Sequence, residues 1–208
     1  GGATGIIPLC RVNMNKRLDI QKTYKLYING RFPRTESGRY FSVNDKDGNL
    51  SANICRASRK DLREAVKAAR NAVPGWSSRT AYNKGQILYR TAETMEGRKE
   101  QFIKELITFG LTRKQATIEV ETTLDRLVYY AGWTDKYQAL FSSVNPVSTS
   151  HYNFSIPEYQ GVIALIAPAE NPLLGLASLI APALGGGNTV VCLASEKWPL
   201  SAISFGEV

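Results

Sequence analysis

Four consecutive segments in the last third of the chain constrain its fold more than anything else in the sequence. Val162-Ile-Ala-Leu-Ile166 is a continuous apolar run of strand length, and Pro172 to Leu184 is apolar on every side over the length of a helix. Thr189-Val-Val-Cys-Leu193 repeats the strand pattern, and Pro199 to Val208 opens another helix. Strands apolar on both faces belong to parallel sheets covered by helices, and the order strand, helix, strand, helix builds them. The sequence therefore predicts an α/β chain ending in the first βαβ half of a doubly wound, Rossmann-like parallel sheet. That half is incomplete, because such sheets carry about five or six strands. A membrane span competes for the same stretch. Pro168-Ala-Glu-Asn-Pro172 would put two helix breakers, a charge and an amide at mid-bilayer, which favours two buried elements.

Upstream the grammar differs. Residues 1–22 show no sustained period and carry Pro8, Asn13 and Asn15, so they read as a linker, and the opening Gly1-Gly2-Ala3 reads as a cut or processed end. Lys25 to Ile28 alternates, Asn29-Gly30 suits the two positive-φ positions of a tight turn, and Arg31-Phe32 begins a return strand. A second strand pair, Tyr40 to Asn44 and Leu50 to Arg56, flanks the turn cluster at Asp45 to Gly48. Ser58 caps a helix whose residues Leu62, Val66, Ala69 and Val73 mark one buried face, with Pro74-Gly75 as its stop. Three more helices follow, marked by Leu88, Ala92 and Met95, by Phe102 to Ile107, and by Val120 to Ala131. Ser142 to Ser150 then turns polar and Pro-interrupted before His151 to Ile156 alternates like an edge strand, so residues 142–160 are expected to form an arm that contacts a subunit or folds back on its own domain.

Composition excludes several classes. Charged residues are 21% and hydrophobic ones 43%, which fits a soluble globular protein. The net charge of +8 has no run of four or more Lys/Arg behind it, so a solvated basic surface is expected and a nucleic-acid partner is not. Cys10, Cys55 and Cys192 lie far apart and His151 is the one histidine, so neither a metal site nor a disulfide framework is expected. Such cysteine usage suits a reducing, cytoplasmic setting.

The run GVIALIAPAENPLLGLASLIAPALGGGNTVVCLASEKWPLSA, the segment YYAGWTDK from Tyr129 to Lys136, and the opening KLYINGRF carry a likeness. Over residues 24–208 the chain resembles the aldehyde dehydrogenase superfamily. In that family a cysteine thiolate attacks the aldehyde, hydride passes to NAD(P), and a glutamate-activated water releases the acid. An asparagine in a Pro-Trp-Asn-x-Pro-Leu loop holds the oxyanion, and a Lys-Pro-Ser-Glu segment holds the adenosine ribose. Aligned on Pro168 and Pro172, the tryptophan position is Ala169 and the asparagine position is Glu170, with Asn171 one residue late.

Loss of one oxyanion donor costs about 2.7–4 kcal/mol of barrier. An ionised Glu170 about 4 Å from the developing charge would add repulsion of roughly 4 kcal/mol at an effective dielectric near 20. Leu193-Ala-Ser-Glu196 stands where the ribose segment belongs. Leu193 in place of lysine forfeits about 1.5–3 kcal/mol of charge-assisted bonding. The resemblance implies cofactor contacts at Ile166, Ala167, Ala169, Ser195 and Glu196, with NAD(P) as the cofactor. Glu196 reads equally as a solvated acid at a helix start. The family's nucleophile and general base fall outside this chain, and Cys55 and Cys192 read as buried strand residues.

Among the branches, the altered loop is most similar to the non-catalytic second module of two-module, family 16 aldehyde dehydrogenases. The expected role is structural: packing against an adjacent module or subunit in a homo-oligomeric parent, with no catalytic residue retained in this chain. The alternative is a piece of an active NAD(P)-dependent aldehyde dehydrogenase.

Overall fold

A computed structural model describes residues 21–208; the expected linker lies, save its last two positions, outside the described residues, as does Cys10. In chain order the described elements are β1 (Thr23–Tyr24), β2 (Tyr40–Asn44), β3 (Leu50–Cys55), α1 (Arg59–Ser77), α2 (Ala81–Gly97), α3 (Lys99–Thr108) and α4 (Arg113–Ala131). They continue with α5 (Tyr137–Phe141), β4 (Ser143–Val144), β5 (Phe154–Ser155), β6 (Val162–Ile166), α6 (Pro172–Gly185), β7 (Thr189–Leu193) and α7 (Pro199–Gly206). The α/β class and the closing strand, helix, strand, helix are as the sequence predicts, and β6 and β7 pair in parallel from Val162 opposite Thr189 to Ile166 opposite Leu193.

The N-terminal sheet has the order β1-β3-β2, with β1 parallel and β2 antiparallel to β3. The first predicted hairpin contracts to a single bridge between Ile28 and Arg31, closed over Asn29 and Gly30 at φ 55° and 69°. Residues 23–24, which the pattern leaves unassigned, supply the strand that pairs with β3 instead. The edge strand expected over His151 to Ile156 is likewise shorter: Phe154–Ser155 pairs antiparallel with Ser143–Val144.

Helix α1 starts as its cap predicts. The Ser58 hydroxyl accepts from the Lys60 and Asp61 amides while Asp61 accepts from the Ser58 amide. It does not stop at Pro74-Gly75 but runs to Ser77. Two bonds to other elements hold the extra turn: the Trp76 indole donates to the Leu184 carbonyl of α6 at 3.0 Å, and buried Lys84 Nζ of α2 donates to the Ser77 carbonyl at 3.0 Å. The missing Pro74 amide costs one bond on an exposed side of the helix, and the anchored last turn offsets it. Its apolar stripe is only half covered, and Leu62 is 55% exposed.

The main core lies in the helical layer. Leu88, Met95, Phe102, Leu106, Val120 and Leu127 from α2, α3 and α4 close around Leu173, Ala177 and Ala181 of α6. A smaller cluster, Ala52, Ile54 and Leu200, ties the N-terminal sheet to α7. The parallel strands are less covered than their composition predicts. α1 and α6 pack against them, yet Ile166 is 75% and Leu193 64% exposed at the carboxyl ends of a sheet in which both strands are edges. Cys192 is half-buried rather than fully buried, and Cys55 is buried as expected. Among the described residues no helix is long and apolar enough to cross a membrane.

Candidate functional site

The candidate site forms where β6 and β7 end. Ile166 and Leu193 are register partners, and the Ala167 amide donates to the Leu193 carbonyl at 2.9 Å, so segments 166–171 and 193–198 leave the sheet side by side. Ligands of open α/β sheets collect outside the carboxyl ends of parallel strands. Of the residues singled out in the sequence, Ile166, Ala169, Glu170, Leu193 and Glu196 are exposed, and Ala167 and Ser195 are half-buried.

Two features shape segment 166–171. Asn171 takes a left-handed conformation at φ 46° and precedes α6 without a side-chain capping bond. Gly175, one turn into α6, lets Pro168 lie against the helix: a Cβ there would stand 2.2 Å from Pro168 Cγ. The start of α6 is capped from a distance. Glu119 of α4, 4% exposed, accepts from the amides of Leu173 at 2.9 Å and Leu174 at 3.3 Å. Burial pushes the Glu119 carboxyl above the usual carboxylate range, and the two amide bonds oppose that rise. An open groove of about 530 Å³ runs between the two helices, with Glu119, Glu170, Asn171, Thr122 and Trp198 among its lining.

Sequence reasoning did not single out Glu119. Its only signal is an acid on the buried face of α4 between Ala116 and Val120, a position that demands a buried partner. The Gly-Asn-Thr motif, by contrast, is explained. Gly187 turns at φ 87°, and Asn188 Oδ1 accepts from the Gln160 and Gly161 amides at 2.7 and 3.1 Å. Thr189 Oγ1 donates to the Ala69 carbonyl of α1 at 3.0 Å. The motif thus locks the arm, α1 and β7 together.

The fit to a dinucleotide is partial. The amides of Leu173 and Leu174 at the start of α6, a natural phosphate site, are taken by Glu119. At the ribose segment Leu193 offers no donor, which leaves exposed Glu196 as the acceptor. Burial pushes the Cys192 thiol up to about 11, so it is protonated and a poor nucleophile at neutral pH.

The parallel strands, the helices over them and the paired loops define an incomplete Rossmann-like α/β fold. Residues 32–208 match the aldehyde dehydrogenase family model, and the chain belongs to that family. It is 30% identical over 199 residues to mouse cytosolic 10-formyltetrahydrofolate dehydrogenase, spanning 93% of this chain and 22% of that protein. Chicken retinal dehydrogenase 2 is 36% identical over 195 residues, 91% of this chain and 37% of the relative. The NAD+ complex of a Bacillus cereus aldehyde dehydrogenase superposes with a TM-score of 0.85 at 28% identity, over 89% of this chain and 38% of that one. The chain thus spans about a fifth to two fifths of these relatives.

Proposed function

We propose that this chain is a non-catalytic aldehyde-dehydrogenase-like module whose role in a larger protein is structural, packing against a neighbouring module or subunit. The observation that carries this reading is Glu170: a carboxylate occupies the register position where the family's chemistry requires a neutral amide donor. An ionised acid there repels the oxyanion that the amide would stabilise. Leu193 and the occupied α6 amides support the same reading, since both weaken a dinucleotide site. The β4–β5 arm is the contact surface this reading assigns, with Val144, Tyr152 and Phe154 at 67, 73 and 55% exposure.

A second reading, a piece of an active NAD(P)-dependent enzyme, is favoured by Glu196 and by the NAD+ complex among the similar structures. Steady-state kinetics of the full-length protein separates the two. Glu170→Ala and Glu196→Ala should leave any aldehyde oxidation within about twofold of wild type, whereas loss of a working oxyanion group would lower kcat by about 100-fold or more. A drop of that size would overturn the non-catalytic assignment.

A further inference from the structure

A second buried acid joins α3 to α7, away from the groove. Glu105 Oε1 accepts from Ser204 Oγ of α7 at 2.7 Å and from Gln101 Nε2 at 3.0 Å. Its other oxygen, Oε2, is sealed from solvent without a hydrogen-bond partner. So is the hydroxyl of Ser201, one turn earlier on α7 and 2% exposed. The charged and titratable groups acting on Glu105 come from three sides: Arg98 at the α2–α3 junction, Glu207 at the end of α7, and Tyr24 on β1. Arg98 is ion-paired with Glu207, so the cation is shared with a second acid.

An ionised carboxylate in this interface keeps a charged oxygen buried with no donor, while a neutral carboxyl does not. Burial accordingly pushes Glu105 above the usual carboxylate range, against the pull of Gln101, Ser204 and Arg98, and Glu207 adds to the rise. The position matters because α7 follows directly on Ser195, Glu196 and Trp198, and its Leu200 packs on Ala52 and Ile54.

We propose that Glu105 is a proton-operated latch: the neutral carboxyl holds α7 against α3, and loss of the proton to solvent loosens α7 together with segment 194–198. The raised folded-state value fixes the sign. The latch is fully set below the unfolded-state carboxylate range, and its contribution is lost as pH rises through the folded-state value. The inference does not depend on whether the module is catalytic.

Amide hydrogen exchange of Ser201 to Gly206 in the full chain, corrected for intrinsic rates, tests it from about pH 5 to about pH 9. Protection of α7 relative to α4 should fall by more than about twofold as pH rises across that range, and Glu105→Gln should retain the low-pH protection throughout. A wild-type ratio that does not move with pH, or a fall that persists in Glu105→Gln, overturns the latch. Should Glu105→Gln not fold, the carboxyl-carbon NMR titration of wild-type Glu105 decides. A midpoint above that of the same carboxyl in the urea-unfolded chain supports the latch, and one at or below it removes it.

Discussion

In the helical layer Met95, Phe102 and Leu106 are 0% exposed, whereas Ile166 and Leu193 at the ends of the parallel strands are 75% and 64% exposed. The two regions draw on equally apolar residues. What separates them is how their partners are arranged: α2, α3, α4 and α6 enclose one another, while β6 and β7 rest on α1 and α6 as a two-stranded sheet with both edges uncovered. The candidate site therefore sits on an open part of the scaffold, in contrast to the sealed helical layer. Its geometry is set by supports at a distance, namely Glu119, Gly175 and Asn188, more than by burial of the loops themselves.

The largest expected effect lies on the sealed side. Phe102→Ala should lower the unfolding free energy in urea by about 3–5 kcal/mol, because the cavity opens where three helices meet. Next, Gly175→Ala should cost about 1–3 kcal/mol as the new methyl collides with Pro168, although alanine favours helix elsewhere. Denaturation curves would check both, and a stabilised Gly175→Ala would show that Pro168 does not rest on α6.

A smaller effect is expected at the start of α1. Burial raises the Asp61 carboxyl, but bonds from Thr35, Ser58 and Glu36 outweigh it and hold it below the usual value. A lowered folded-state value gives stability that is present above the unfolded-state range and is lost as pH falls through the folded-state value. Asp61→Ala should then cost about 0.5–2 kcal/mol at neutral pH, with the gap to wild type narrowing in acid. Thermal melts across pH would show it. The smallest effect belongs to the open side, where Ile166→Ala should stay within about 0.5 kcal/mol of wild type in the same melts. A core-sized loss there would erase the contrast between the regions.

Much of this architecture was legible in the residues. The buried stripes of α2, α3 and α4, the cap of α1 and the β6-α6-β7-α7 order follow from local patterns that the packing respects. The passage of α1 through Pro74 was not legible, because its last turn is held by the Leu184 carbonyl of α6, remote in sequence, and by Lys84 of the next helix. The shortened hairpin and the exposure of Ile166 depend on which neighbour claims an edge or reaches a strand end, and periodicity carries no such information. In the candidate site the resemblance pointed to segments 166–171 and 193–198, which the structure brings side by side. Glu119 could not, since its role exists only when α4 is laid against the start of α6.

The account turns on whether the paired loops have kept any grip on a dinucleotide. Titrating the full-length protein with NADH, and following its binding by fluorescence against Glu196→Ala, asks this directly. The account predicts no saturable binding that depends on Glu196 up to about millimolar cofactor, a standard free energy near −4 kcal/mol. Saturable binding at micromolar NADH that Glu196→Ala weakens about tenfold or more would contradict it and return the chain to the dinucleotide-binding members of its family.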